Sequence, residues 1–117
     1  MEFLLDVRQL AARLRDFAEE RDWGQFHTPK NLAMALAGEA GEVLAELQWL
    51  TDAEIRAAFA SDSDTRRSFG DELADVMIYL TRLADVSGID LNEAVASKLA
   101  QNAQRFPPNA DNVGPAT

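Results

Sequence analysis

"AGEAGEVLAELQWL", residues 37–50, sets Glu39, Glu42 and Glu46 inside a run built mostly of Ala, Val, Leu and Trp. Leu32, Leu36, Val43, Leu47 and Leu50 recur at helical spacing, which predicts a helix from about Pro29 to Leu50. At about 100° per residue its apolar stripe centres near Val43. Glu39 and Glu46 then fall within roughly 40 to 60° of that centre, with Glu42 farther around on the same side. These acids flank the core instead of facing away from it.

The pattern returns in "DELADVMIYL", residues 71–80, where Glu72 and Asp75 stand beside a stripe of Phe69, Leu73, Val76, Leu80 and Leu83. Tyr79 continues the acidic row of this second long helix, expected from about Thr65 to Val86. Carboxylates gathered between two helices repel and are costly to desolvate, so they protonate, splay apart or bind a cation. Oxygen-only ligands suit Mg²⁺ or Mn²⁺. A single ExxE is common on solvated helix faces; the pairing of "EAGE" with "ELAD", both on core-flanking edges, favours the metal. A dinuclear iron bundle needs Glu-x-x-His pairs on its helices, and the only histidine, His27, lies in a loop.

Working outward, Phe3, Leu4, Val7, Leu10, Leu14 and Phe17 predict a first helix over about residues 3–21. The loop "RDWGQFHTPKN", residues 21–31, leads through Thr28-Pro29, a cap followed by a proline suited to the first helical position. "TDAEIRAAFA", residues 51–60, makes a short helix capped by Thr51 or Asp52. Gly88 ends the long fourth helix, and Asp90 with Glu93 opens a last one reaching about Phe106. Gly38 and Gly41 weaken the second helix by about 1 kcal/mol each against alanine, and close approach by a helix or ligand is the expected return. The expectation is therefore all-α: a four-helix bundle plus one short helix, with a domain over 1–108 and a mobile tail over 109–117.

Twenty acidic against 11 basic residues give a net charge of −9, which opposes polymeric nucleic acid and anionic membrane as partners. A small phosphorylated ligand is compatible if a cation accompanies it. The chain has no cysteine, excluding thiolate sites and disulfides. "MEFLLDVRQL", residues 1–10, lacks the basic leader of a signal peptide, and cytoplasmic location is expected.

"RDWGQFHTPKNLAMALAGEAGEVLAELQW" (21–49), "GDELADVMIYL" (70–80) and "SKLAQNAQRFP" (97–107) together resemble the MazG-like all-α nucleoside triphosphate pyrophosphohydrolases, in particular the dCTP pyrophosphatase branch. The resemblance implies Mg²⁺-dependent hydrolysis of a (deoxy)nucleoside triphosphate to monophosphate and pyrophosphate, in a dimer or dimer of dimers. It implies Glu39, Glu42, Glu72 and Asp75 as metal ligands. Glu39 or Glu42 would accept a proton from the attacking water. Glu46, one turn beyond, is either a further ligand or base, or a solvated salt-bridging acid.

In the branch resembled, positions matching Trp23, Phe26, His27 and Trp49 form an aromatic base pocket. Tyr79 offers a hydroxyl to substrate or packs in the core. Lys98, Asn102 and Arg105 share one helix face and match a stretch that contacts phosphate and sugar, although basic residues near a helix C-terminus also suit its dipole. Unlike some relatives, "SDSDTRRS", residues 61–68, is short, so a lid over the triphosphate would rely on Arg66, Arg67 or a partner subunit. Two other functions are open: the same chemistry on another nucleotide, such as phosphoribosyl-ATP, and a non-catalytic acidic interaction protein.

Overall fold

Five helices run in order: α1 (Val7–Glu20), α2 (Pro29–Leu47), α3 (Asp52–Phe59), α4 (Asp64–Val86) and α5 (Leu91–Arg105). They come from a computed structural model that describes residues 5–108, among which there is no strand. The expected four long helices and one short helix are all present. Phe3, Leu4 and the tail over 109–117 lie outside the described residues.

Helix α1 begins later than its apolar spacing suggests, because the Asp6 carboxylate accepts the N–H groups of Arg8 (2.9 Å) and Gln9 (3.1 Å). Such a cap is worth about 1 kcal/mol and fixes the first turn at Val7. At the other end, Trp23 N–H donates to the Ala18 carbonyl at 2.9 Å and Asp22 N–H to that of Glu19 at 3.1 Å. This closure requires a left-handed residue, which here is Asp22 at φ 54°. It turns the chain back so that the Trp23 ring meets the Phe17 ring edge-on, with centroids 5.5 Å apart. Helix α4 closes in the same way using Gly88 at φ 71°, with Ile89 N–H on the Ala84 carbonyl.

Thr28 accepts the N–H of Asn31 and Pro29 takes the first turn of α2, as expected. The helix stops at Leu47 rather than Leu50 because the next helix imposes its own start. Thr51 is extended, its hydroxyl accepts Glu54 N–H, and the Glu54 carboxylate accepts Thr51 N–H, a reciprocal cap. The three intervening residues turn the chain. Similarly, α5 ends at Arg105, with Phe106 as its cap.

Helix α4 is the hub: α2 packs along it, while α1 and α3 meet its flanks. The apolar core is thin. Among the described residues only Ala18 and Leu32 are fully buried apolar side chains, whereas Met34, Leu44, Leu73, Val95 and Leu99 are exposed. The radius of gyration is 17.4 Å, against about 13 Å for a compact domain of about 100 residues. Apart from half-buried Leu91 and Asn102, every residue of α5 is exposed.

Within this chain, no helix closes on the two glycines of α2. A Cβ at Gly38 or Gly41 would meet nothing within 4 Å, so no neighbour in this chain crowds them. Both lie on the exposed side of α2, away from α4.

Candidate active site

The α2–α4 pairing brings two acidic edges together. Glu39 from α2 with Glu72 and Asp75 from α4 place one carboxylate oxygen each within 4.8 Å of one another. All three are half-buried, since each stands on the inner side of its helix. Among the described residues no ion pair engages any of them. Burial, then a hydrogen bond with Glu39, then the like charges of Glu39, Asp75 and Glu42 push the Glu72 carboxyl above the usual range. A proton or a cation must relieve this group. The donor set is all oxygen, which fits a hard divalent ion, and these three residues can hold one.

Glu42 and Glu46 sit differently. Glu42 is exposed and reaches the set through its charge on Glu72. Glu46 is half-buried and accepts a hydrogen bond from the Ser68 hydroxyl. Ser68 precedes Glu72 by one turn of α4, so this bond ties α2 to α4 beside the acidic set.

One turn beyond Asp75, about 6 Å along the helix axis, α4 presents Ile78 and Tyr79 to a cavity of about 260 Å³. Leu14, Phe17 and Leu32 complete its apolar walls, and Trp23 and His27 enter from the α1–α2 loop. Trp23 and His27 rings are tilted against each other at 6.1 Å. Drug-sized ligands fill about 300 to 1,000 Å³, so this space suits a single flat ring with its attached group outside.

The polar side of the cavity is Arg82, 8% exposed. Its Nε donates to His27 Nδ1 at 3.0 Å, and its Nη1 donates to Asp85 Oδ2 at 3.4 Å. Arg15 from α1 grips the same Asp85 through two bonds of 3.1 and 2.8 Å. The hydrogen bond from Arg15 chiefly, with the charges of Arg15 and Arg82, holds Asp85 below its usual range against the opposing effect of burial. Burial and then the Arg82 charge push His27 down, keeping the imidazole neutral. Sequence reading missed Phe17, Ile78, Arg82 and the Arg15–Asp85 pair. An arginine set between the core-stripe residues Leu80 and Leu83, in "YLTRLAD" over 79–85, was the available signal for Arg82.

The other expected substrate residues are not gathered here. Phe26 is 60% and Trp49 85% exposed, and neither lines the cavity. Lys98 is exposed, Asn102 accepts the Phe106 N–H at its carbonyl, and Arg105 lies 5.1 Å above the Phe106 ring. Arg66 donates to the Phe59 carbonyl at 2.8 Å, and Arg67 pairs with Asp62 and Asp64, so both arginines fasten the α3–α4 turn.

An all-α bundle with an inward-facing carboxylate set between two helices defines the class: residues 35–113 match the MazG-like family, and this chain belongs to it. Its relatives sharpen the comparison. The chain is 47% identical over 104 residues to dCTP pyrophosphatase 1 of Rattus norvegicus and 46% identical to that of Homo sapiens. Each match covers 89% of this chain and 59% of the relative, so the chain spans about three-fifths of their length. A crystal structure of a pyrophosphatase from Archaeoglobus fulgidus matches with a TM-score of 0.78 and 33% identity, covering 92% of this chain and 98% of that one. No helix among the described residues is long and apolar enough to cross a membrane.

Proposed function

We propose that this chain is a nucleoside triphosphate pyrophosphohydrolase that uses Mg²⁺, with Mn²⁺ as a substitute, and acts on dCTP or a modified pyrimidine analogue. The supporting observation is the placement of a three-carboxylate set one helical turn from a ring-sized aromatic cavity on the same helix pair. A base held at Trp23 and Tyr79 would direct its phosphates along the α2–α4 groove toward Glu39, Glu72 and Asp75. The identities to dCTP pyrophosphatase 1 favour a pyrimidine over phosphoribosyl-ATP.

Glu39, Glu72 and Asp75 would hold the ion, with Glu42 at their edge. When bound, the ion supplies positive charge that neutralises phosphate oxygens and eases the ionisation of water. Glu39 or Glu42 accepts the proton of the water that attacks the α-phosphorus. The bond from that phosphorus to the bridging oxygen breaks, and pyrophosphate leaves. Glu46, fixed by Ser68, holds α2 in register with α4 and so positions the acids.

A second copy completes the site in this reading. Its supports are the thin core, the exposed Trp49, Leu44 and Leu99, and an apolar groove lined by Leu80, Val95 and Leu99. The open faces of Gly38 and Gly41 leave room for a neighbouring chain. Lys98, Asn102 and Arg105 of α5 then reach phosphate across that assembly.

The test is pyrophosphate release from a panel of nucleoside triphosphates, with and without Mg²⁺. Monophosphate and pyrophosphate in equimolar amounts, strictly with metal and best with cytosine deoxynucleotides, is the expected result. Stepwise release of inorganic phosphate, or no turnover of any triphosphate, overturns the proposal. Sedimentation of wild type and Gly41→Ala tests the assembly: the substitution should shift it toward monomer.

A further inference from the structure

We infer that Arg82 is a positioning residue that fixes His27 as the neutral Nε2–H tautomer, so that the aromatic cavity meets its ligand with hydrogen-bond donors. The inference rests on the proposed nucleotide reading for the ligand, but the tautomer itself follows from geometry. The Nε of Arg82 carries a hydrogen and has no lone pair to offer, so the atom 3.0 Å away on His27 must accept. A neutral imidazole with Nδ1 accepting carries its proton on Nε2. No described residue accepts from that Nε2–H, although His27 lines the cavity.

Arg82 itself has a spare donor. Its Nε is used by His27 and its Nη1 by Asp85, while its Nη2 has no hydrogen-bond partner among the described residues. Asp85 is in turn held by Arg15, so the guanidinium cannot swing away without leaving a charge group behind. The apolar walls offer nothing to either donor, and Tyr79 adds a hydroxyl that can serve both ways.

A wall of donors selects a base edge made of acceptors. Cytosine presents N3 and O2 side by side as acceptors, whereas uracil and thymine place an N3–H there. That hydrogen would face a donor, and buried donors left unpaired discriminate strongly. Arg82 thereby biases the cavity toward cytosine without itself acting on the phosphates.

Nitrogen-15 correlation spectra of the intact protein, labelled at histidine, read the tautomer of the single imidazole directly. Wild type should show Nε2 protonated and Nδ1 bare; the opposite pattern overturns the inference. In Arg82→Met, which keeps apolar bulk while Arg15 retains Asp85, the imidazole should lose its single tautomer. Titration with deoxycytidine and deoxyuridine monophosphates, followed by Trp23 emission, needs no turnover. Cytidine binding should weaken about tenfold in the variant, near the loss of one hydrogen bond, and the preference over uridine should collapse. Equal binding of the two nucleotides to wild type, or an unchanged preference in the variant, overturns the inference. A protein that binds cytosine selectively yet releases no pyrophosphate would defeat only the proposed function.

Discussion

Helix α4 carries acids near its middle and near its C-terminus, and the two groups are treated in opposite ways. Near its C-terminus, Asp85 is held by Arg15 and Arg82, two cations of the same chain. Near its middle, Glu72 and Asp75 face Glu39 with no cation among the described residues. Both arrangements half-bury carboxylates, so burial alone does not separate them. Compensation does: one group is complete, while the other is stable only once something positive joins it.

The sharpest way to break this contrast is Asp75→Ala. Pyrophosphate release should fall by about a thousandfold, the scale of several kcal/mol of lost charge stabilisation, while far-ultraviolet circular dichroism stays helical. Next in size is the response to the ion. Mg²⁺ at 100 times its dissociation constant should raise wild-type unfolding free energy by about 2.7 kcal/mol, and should not stabilise Asp75→Ala. Urea denaturation with and without Mg²⁺ measures both.

At the compensated end the sign reverses, because removing an acid should harm rather than relieve. Asp85→Ala strands the Arg82 guanidinium and should cost about 2 kcal/mol. That is below the 3–5 kcal/mol of a fully buried pair, because Asp85 keeps 20% of its side chain in water. Urea denaturation of the metal-free protein checks it. Arg15→Ala should cost less, since Asp85 retains Arg82.

Acidity sharpens the contrast with the smallest effects. The raised Glu72 carboxyl contributes stability that is present below the usual glutamate range and fades as pH rises through its elevated value. Asp85 is depressed, so its contribution is present above the usual aspartate range and fades as pH falls through its lowered value. Metal-free unfolding curves across mildly acidic pH should therefore lose their upper decline in Glu72→Gln and keep their acid decline. Unchanged curves in that variant would remove the case for an uncompensated acid.

Much of this was legible in the residues. Helical spacing located α1, α2 and α4, cap residues located α3 and α5, and Thr28-Pro29, Asp90 and Gly88 fixed boundaries, because these signals act within a few residues. Glu39, Glu72 and Asp75 could be aimed at one another because inward-facing acids on two helices have few destinations. The Arg15–Asp85 pair, 70 residues apart in sequence, could not be read, since only docking of α1 on α4 creates it. The start of α1 was misplaced because the apolar spacing continues past Asp6, and a cap overrides spacing. The end of α2 was misplaced because Thr51 serves the following helix.

The two indoles occupy unlike surroundings. Trp23, 42% exposed, lies against Phe17 beside the cavity, while Trp49, 85% exposed, follows the end of α2. Their fluorescence should therefore separate: a blue-shifted component that follows nucleotide, and a red, iodide-quenchable component that follows subunit encounter. A single unlabelled sample would then report occupancy and association as independent optical channels.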